Sequence, residues 1–174
     1  MSSYGNKLFG LRDVKVTNIA GTTQKDLPVS RTLGLRVRLK GGELSGDDAL
    51  KAVVSFVEAV EWELEAGGID LDALAIMVGN ATVVAGTTPS ETTTLSFDAG
   101  DDMPYFKLYG KSLGDGSDDV HVKLFKCKCT GQIEGSFQDG QFYITRCSGI
   151  AIDDGTNGIM DIVQNETAAT LPTT

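Results

Sequence analysis

One histidine, His121, is all the imidazole in this chain, and that scarcity removes most general acid–base schemes at the outset. Cysteine is nearly as rare. Cys127, Cys129 and Cys147 are an odd number, which fits reduced thiols packed in a core better than a disulfide framework. No apolar run is long enough to span a bilayer; even residues 49–60 are interrupted by Lys51, Ser55 and Glu58. The first seven residues, Met1 to Lys7, lack the apolar stretch of a signal peptide, so the expectation is folding in a cytoplasm. The Gly-x-x-x-x-Gly-Lys-Ser/Thr phosphate loop and the dinucleotide fingerprint are also missing.

What is present is glycine and charge. Glycine reaches 21 residues against 4 prolines, and threonine is abundant, a mix that suits strands joined by tight turns. Apolar residues make up 41% of 174, enough for one domain over 1–174 with a single core. The net charge is −9, a sign that disfavours tight nonspecific binding to phosphate. Its distribution is uneven: residues 1–42 carry +6 and residues 43–103 carry −12. Two readings follow. The blocks pair within one monomer, or Arg31, Arg36, Arg38 and Lys40 of one copy meet Asp98, Asp101 and Asp102 of the next across a head-to-tail contact.

Period-two alternation is the dominant pattern. Residues 8–19 read as a strand and 20–30 as a polar loop. Leu33, Leu35, Val37 and Leu39 alternate with Arg36, Arg38 and Lys40 in a half-buried strand, which Gly41-Gly42 is expected to close. Residues 49–66 fit a helix through Val53, Phe56, Val60 and Leu64. They fit a long strand better, because residues 60–65 alternate without error and Val53-Val54, Phe56 and Trp62 favour β structure. That strand places Glu61, Glu63 and Glu65 on one face, opposite Val60, Trp62 and Leu64. Asp70 or Asp72 can cap a short helix to Val78 that Gly79 ends. Further strands are expected at 82–85, 92–97, 105–109, 120–129, 150–152 and 159–163. Asp139-Gly140 signals a hairpin between 132–137 and 142–147. The expected fold is mainly β, an antiparallel sandwich or partial barrel with one short helix, a 1–9 N-terminal arm and a loose 164–174 tail.

Catalytic and ligand sites fare poorly. His121, Cys127 and Cys129 share strand parity, yet His121 and Cys127 lie about 20 Å apart along a strand. Only Cys147, by cross-strand pairing, can approach His121 as a nucleophile, which defines a small-hydrolase alternative. Cys-x-Cys on an extended strand does not curl around zinc. The acidic groups at Asp98–Asp102, Asp115–Asp119 and Asp153-Asp154 do not match the EF-hand loop and read as solvated turns. Lysines at 123, 126 and 128 read as a protective strand edge. No catalytic, cofactor or metal residue is assigned, and the chain is expected not to be an enzyme.

The order of landmarks adds a further reading. Asp13-Val14-Lys15-Val16 opens it. Gly42-Glu43-Leu44-Ser45-Gly46-Asp47-Asp48 precedes the long alternating strand. Gly67-Gly68-Ile69 leads into the helix that ends at Gly79. Gly86-Thr87-Thr88-Pro89 precedes a Thr-rich strand, and Pro104-Tyr105-Phe106-Lys107-Leu108 and Asp119-Val120-His121-Val122 follow. Gly158-Ile159 and Glu166-Thr167-Ala168 complete the set. Over residues 10–170 this resembles the major tail tube protein of long-tailed, non-contractile phages. No single motif is specific; the ordered set carries the likeness.

The resemblance implies subunits that close into hexameric rings, whose inner sheets join into one β-barrel around a lumen. Stacked rings form the tube through which DNA is ejected. It implies a tape measure protein, a tail terminator and distal tail proteins as partners, no cofactor and no membrane. It also implies a place in the virion tail after assembly in the host cytoplasm. Glu61, Glu63 and Glu65 are the candidates to line such a lumen, where carboxylates repel phosphate and let DNA slide; outer solvent is the competing place for them. A non-catalytic β-sandwich binding or capsid-decorating module is the alternative function.

Overall fold

The computed structural model describes residues 8–27, 29–46, 49–68, 70–114 and 118–172. Among the described residues ten strands and one helix follow in chain order: β1 (Phe9–Asn18), β2 (Gln24–Asp26), β3 (Ser30–Gly46), β4 (Ala49–Gly67), α1 (Leu71–Val78), β5 (Val83–Ala85), β6 (Thr92–Thr94), β7 (Phe106–Leu113), β8 (Asp119–Cys129), β9 (Ile144–Ala151) and β10 (Met160–Asn165). The fold is mainly β and antiparallel, and its main sheet is not closed into a barrel. Strand order in that sheet is β2-β1-β7-β8-β9-β4-β3, with β10 added on β8; β5 and β6 form a separate pair.

Strand β8 divides the sheet into two leaves. Its first part, Asp119 to Leu124, pairs with β10, while Cys127 to Cys129 pair with β9. Between them the register with β7 slips, from Leu108↔Leu124 to Phe106↔Cys127. Two residues of β7 face three of β8, so the side-chain parity reverses along β8. The core gathers Val14, Val16, Leu108 and Leu124 from one leaf and Val60, Trp62, Leu64 and Cys147 from the other. Trp62 meets Phe106 edge to face, with centroids 5.6 Å apart. Helix α1 adds Leu74 and Met77 to this core. Its ends are set locally: the Asp70 carboxylate accepts the Ala73 N–H at 2.9 Å, and Gly79 stops the helix at φ 84°.

Several sequence expectations change. Strand β3 runs through Gly41-Gly42 to Gly46, because β4 supplies ladder partners at Ser55 and Val54. Three residues of the expected 20–30 loop, β2, pair with β1. Asp139-Gly140 does make a turn, but its flanks are joined only by the isolated bridge Glu134↔Arg146 rather than by a hairpin ladder. The tail expected to be loose is docked through residue 172: Leu171 is buried, and Gln24 Nε2 donates to the Pro172 carbonyl at 2.9 Å. Of the expected N-terminal arm, all but Leu8 and Phe9 lies outside the described residues, as do Asp47, Asp48, Ile69 and residues 115–117.

Candidate assembly surfaces

Strands β3 and β4 form a hairpin much longer than the body can cover. Strand β9 pairs with β4 only from Val60 to Gly67. Beyond that point β4 has β3 as its only ladder partner among the described residues, so the rest of the hairpin projects as a two-stranded arm. A bulge at Glu58, where Arg38↔Ala59 gives way to Leu39↔Val57, shifts the pattern at the root of the arm. Apolar side chains then occupy both faces. Leu39, Val57, Val53 and Leu50 continue the core side, while Phe56, Val54 and Leu44 lie on the other.

All seven are more than half exposed. Four lie on one face and three on the other, so each face carries an exposed apolar cluster of the kind that marks an interaction surface. A two-stranded ribbon with apolar groups on both sides cannot shelter them by folding on itself. Among the described residues strand β3 is also the sheet edge, with no ladder partner on the side away from β4.

Glu61, Glu63 and Glu65 do share one face of β4, opposite buried Val60, Trp62 and Leu64. That face is charge-balanced rather than purely acidic. Glu61 lies 3.9 Å from Arg38, and Glu65 pairs with Arg146 of β9. Glu58, at the bulge, takes Arg38 at 3.0 Å and Lys40 at 3.8 Å. Glu63, opposite Gly34 and Ser148, has no ion pair among the described residues.

The charge candidates divide in the same way. Arg38 and Lys40 are engaged within the hairpin, and Asp102 pairs with Lys128 at 2.8 Å. Asp101 belongs to a turn: it accepts the Asp98 N–H and the Asn80 amide, which hold its carboxyl below the usual carboxylate range. Arg31, Arg36 and the Asp98 carboxylate form no ion pair among the described residues. The structure thus brings none of the four cations to the three aspartates within one chain.

The thiols and the imidazole are kept apart. The parity reversal in β8 puts His121 on the face opposite Cys127 and Cys129, correcting the expectation that they share one. Cys147 stands across from Leu64, its thiol 3.9 Å from Met77 Sδ. His121 is buried with Asp119, Nε2 to Oδ2 3.2 Å.

In the sequence Asp119 figures only in an acidic turn and as one landmark of the resemblance, yet its side chain gathers four partners among the described residues. Fully buried, it accepts from Lys111 Nζ at 2.9 Å, Asn165 Nδ2 at 2.6 Å and the Ala169 N–H at 2.7 Å. Lys111 also donates to the Ala169 carbonyl. Burial would raise the Asp119 pKa; the bonds from Asn165, Lys111 and Ala169, with the charge of His121, outweigh it and hold the carboxyl far below its ordinary value. No local signal announces partners that lie 46 and 50 residues away. The arm did leave a signal: the doublets Val53-Val54 and Phe56-Val57 put apolar groups on successive, hence opposite, sides of a strand.

No protein-family model matches this chain, and no curated protein matches it. Among the described residues no helix is long and apolar enough to cross a membrane, and no group of three or more His, Cys, Asp or Glu side chains is placed to hold a metal ion.

Proposed function

We propose that this chain is the tube subunit of a long, non-contractile phage tail, a structural virion protein that works by self-assembly. The observation that carries the reading is the β3–β4 arm. An apolar ribbon with both faces exposed is stable in water only when other molecules cover it, and identical copies are the supply an assembling tube provides. The contact is heterologous, since the arm of one copy meets a different surface of the next. Such contacts close into rings or propagate as filaments.

The open sheet supports the same reading. The edge of β3 completes its hydrogen bonds when a neighbouring edge joins it, so a ring of copies, six by the resemblance, forms one barrel. Rings stack head to tail, and the tape measure, terminator and distal tail proteins bound the tube. On the β4 face, Glu63 and its ion-paired neighbours line the lumen and give passing DNA no fixed cation cluster to bind.

Electron microscopy of the purified protein tests this. Tubes, or rings of one diameter, are the expected images. A discrete small oligomer in place of tubes points to the decorating-module alternative. A monomer at every concentration, with tail components added, overturns the assembly reading.

A further inference from the structure

A groove of about 580 Å³ opens between α1 and the 131–143 segment. Leu71 and Leu74 of α1 line it together with Phe97, Met103, Phe137 and Tyr143. Phe137 and Tyr143 lean on each other, ring centroids 4.5 Å apart, yet Phe137 is 83% exposed and Phe97 56%. The lining holds one charged side chain, Glu134, and no cation. Asp98 follows Phe97 directly. Neither the Glu134 nor the Asp98 carboxylate has an ion pair among the described residues.

The groove and the β3–β4 arm lie at opposite ends of β4. Thr145 of the groove pairs with Ala66, close to the end of β4 that leads into α1. Phe56 stands ten residues back along the same strand, roughly 30 Å away at the usual rise. The arm continues from there away from the body. A chain's arm therefore cannot enter its own groove. A contact between one end of a molecule and the other end of the next is heterologous, and repeated along β4 it propagates.

The surface of the arm suits the groove. Lys40 stands opposite Phe56 in the ladder, on the face that carries Leu44 and Val54. Lys51 is the extra residue at the bulge where Leu44↔Ala52 gives way to Ser45↔Leu50, and it has no ion pair among the described residues. Glu43 pairs with Val53 on the opposite face. An apolar strip edged by lysine thus meets an apolar groove edged by carboxylates, so burying the rings strands no charge of either sign.

We infer that the groove is the seat for the arm of a second copy. Phe56 and Val54 of one copy lie against Phe97 and Phe137 of the next, with Lys40 and Lys51 beside Asp98 and Glu134. Each partner covers the apolar face that the other leaves open. This contact rests on the tube reading and names the two surfaces through which its rings stack.

Two full-length variants, purified separately, test it. The arm variant carries V54K with F56E. The groove variant carries F97E with F137E, at exposed positions where substitutions cost little stability. Each alone is expected to form no tubes. Mixed, they retain one intact arm and one intact groove between them, so they pair and go no further: the sedimenting mass doubles without tubes. Parent tubes are also treated with a zero-length carbodiimide, which joins an amine to a carboxylate in contact. A peptide linking Lys40 or Lys51 to Asp98 or Glu134 is expected. Its absence overturns the inference, and this readout decides if the groove variant does not fold. Tubes from the groove variant as abundant as the parent's, or a mixture that does not pair, overturn the contact and leave the tube reading standing. A parent chain that never forms tubes removes the tube reading itself, and this contact with it.

Discussion

The backbone N–H of Ala169, an exposed residue, ends 2.7 Å away on the buried carboxylate of Asp119. This bond ties the last segment of the chain to β8, and Lys111, His121 and Asn165 converge on the same carboxylate. Asp119→Asn keeps the volume but removes the charge that Lys111 Nζ and the Ala169 N–H, which only donate, bind. It is expected to cost about 3 kcal/mol, the usual penalty for breaking a buried charged cluster. Hydrogen exchange over residues 166–172 should accelerate. Unchanged protection there removes the clasp.

The same carboxylate sets a pH dependence. Its pKa is lower in the folded chain than in the unfolded one, where the ordinary value is 3.8. The stability it supplies is therefore complete above about pH 5 and is lost progressively as pH falls below 4. Asp154, held at about 2 by bonds from the Asn157 side chain and the Thr156 and Asn157 N–H groups, acts in the same direction. Urea midpoints between pH 2 and 6 should fall less steeply in D119N than in the parent chain.

Phe56 and Val54 sit on the face of the arm that continues the Glu61 side, far from the core cluster. Phe56→Glu with Val54→Lys should leave the stability of the unassembled subunit within about 0.5 kcal/mol, as surface changes do. Tube formation should be lost. Normal tubes from this variant, measured by sedimentation and microscopy, contradict the role given to the arm.

Gly149 lies under the indole of Trp62. A Cβ there stands 2.1 Å from the Lys128 carbonyl and 2.6 Å from the Trp62 ring. Neither is the far end of a flexible side chain, so Gly149→Ala must part β8 from β9 or displace Trp62. A loss of about 2–3 kcal/mol is expected, the scale of an overpacked core. Thermal unfolding and the near-ultraviolet signal of the single tryptophan report it.

Val29 holds φ at 52°, a conformation that a β-branched residue rarely adopts. Its carbonyl accepts the Gly67 N–H at 2.9 Å, and its side chain is exposed. Val29→Gly keeps the bond and removes the strain, so stability should rise by about 1 kcal/mol. A fall of that size in chemical denaturation refutes the assignment.

Glu63 differs from Glu61 and Glu65 in having no ion pair among the described residues. On the proposed tube reading, Glu63→Lys should leave folding and tube length intact while slowing DNA passage, because an added cation on a lumen face attracts phosphate. Equal ejection kinetics at low salt would place this face elsewhere.

Local chemistry made much of the fold legible. The caps Asp70 and Gly79 act on backbone groups a few residues away, so α1 could be bounded from sequence. Strict alternation over residues 33–40 and 60–65 marked two strands and assigned Trp62 and Glu63 to opposite faces, because the pleat turns each residue over; that the two strands pair came from the structure. Gly41-Gly42 misled, since glycine weakens a strand without forbidding it when a partner strand supplies the ladder. Asp139-Gly140 made its turn without its hairpin, since a turn signal says nothing about what the flanks will pair with.

What the sequence determined on its own was therefore periodic and near-neighbour: the strand-rich class, the one helix, and the side of β4 that residues 60–65 face. Tertiary structure alone decided the rest. The bulge in β8 reversed parity between His121 and Cys127, a shift visible only against β7. The Asp119 clasp joined residues some 50 positions apart. The arm emerged because β9 stops pairing at Val60. In each case the deciding energy is a pairing between distant segments, and a one-dimensional pattern does not record which segments meet.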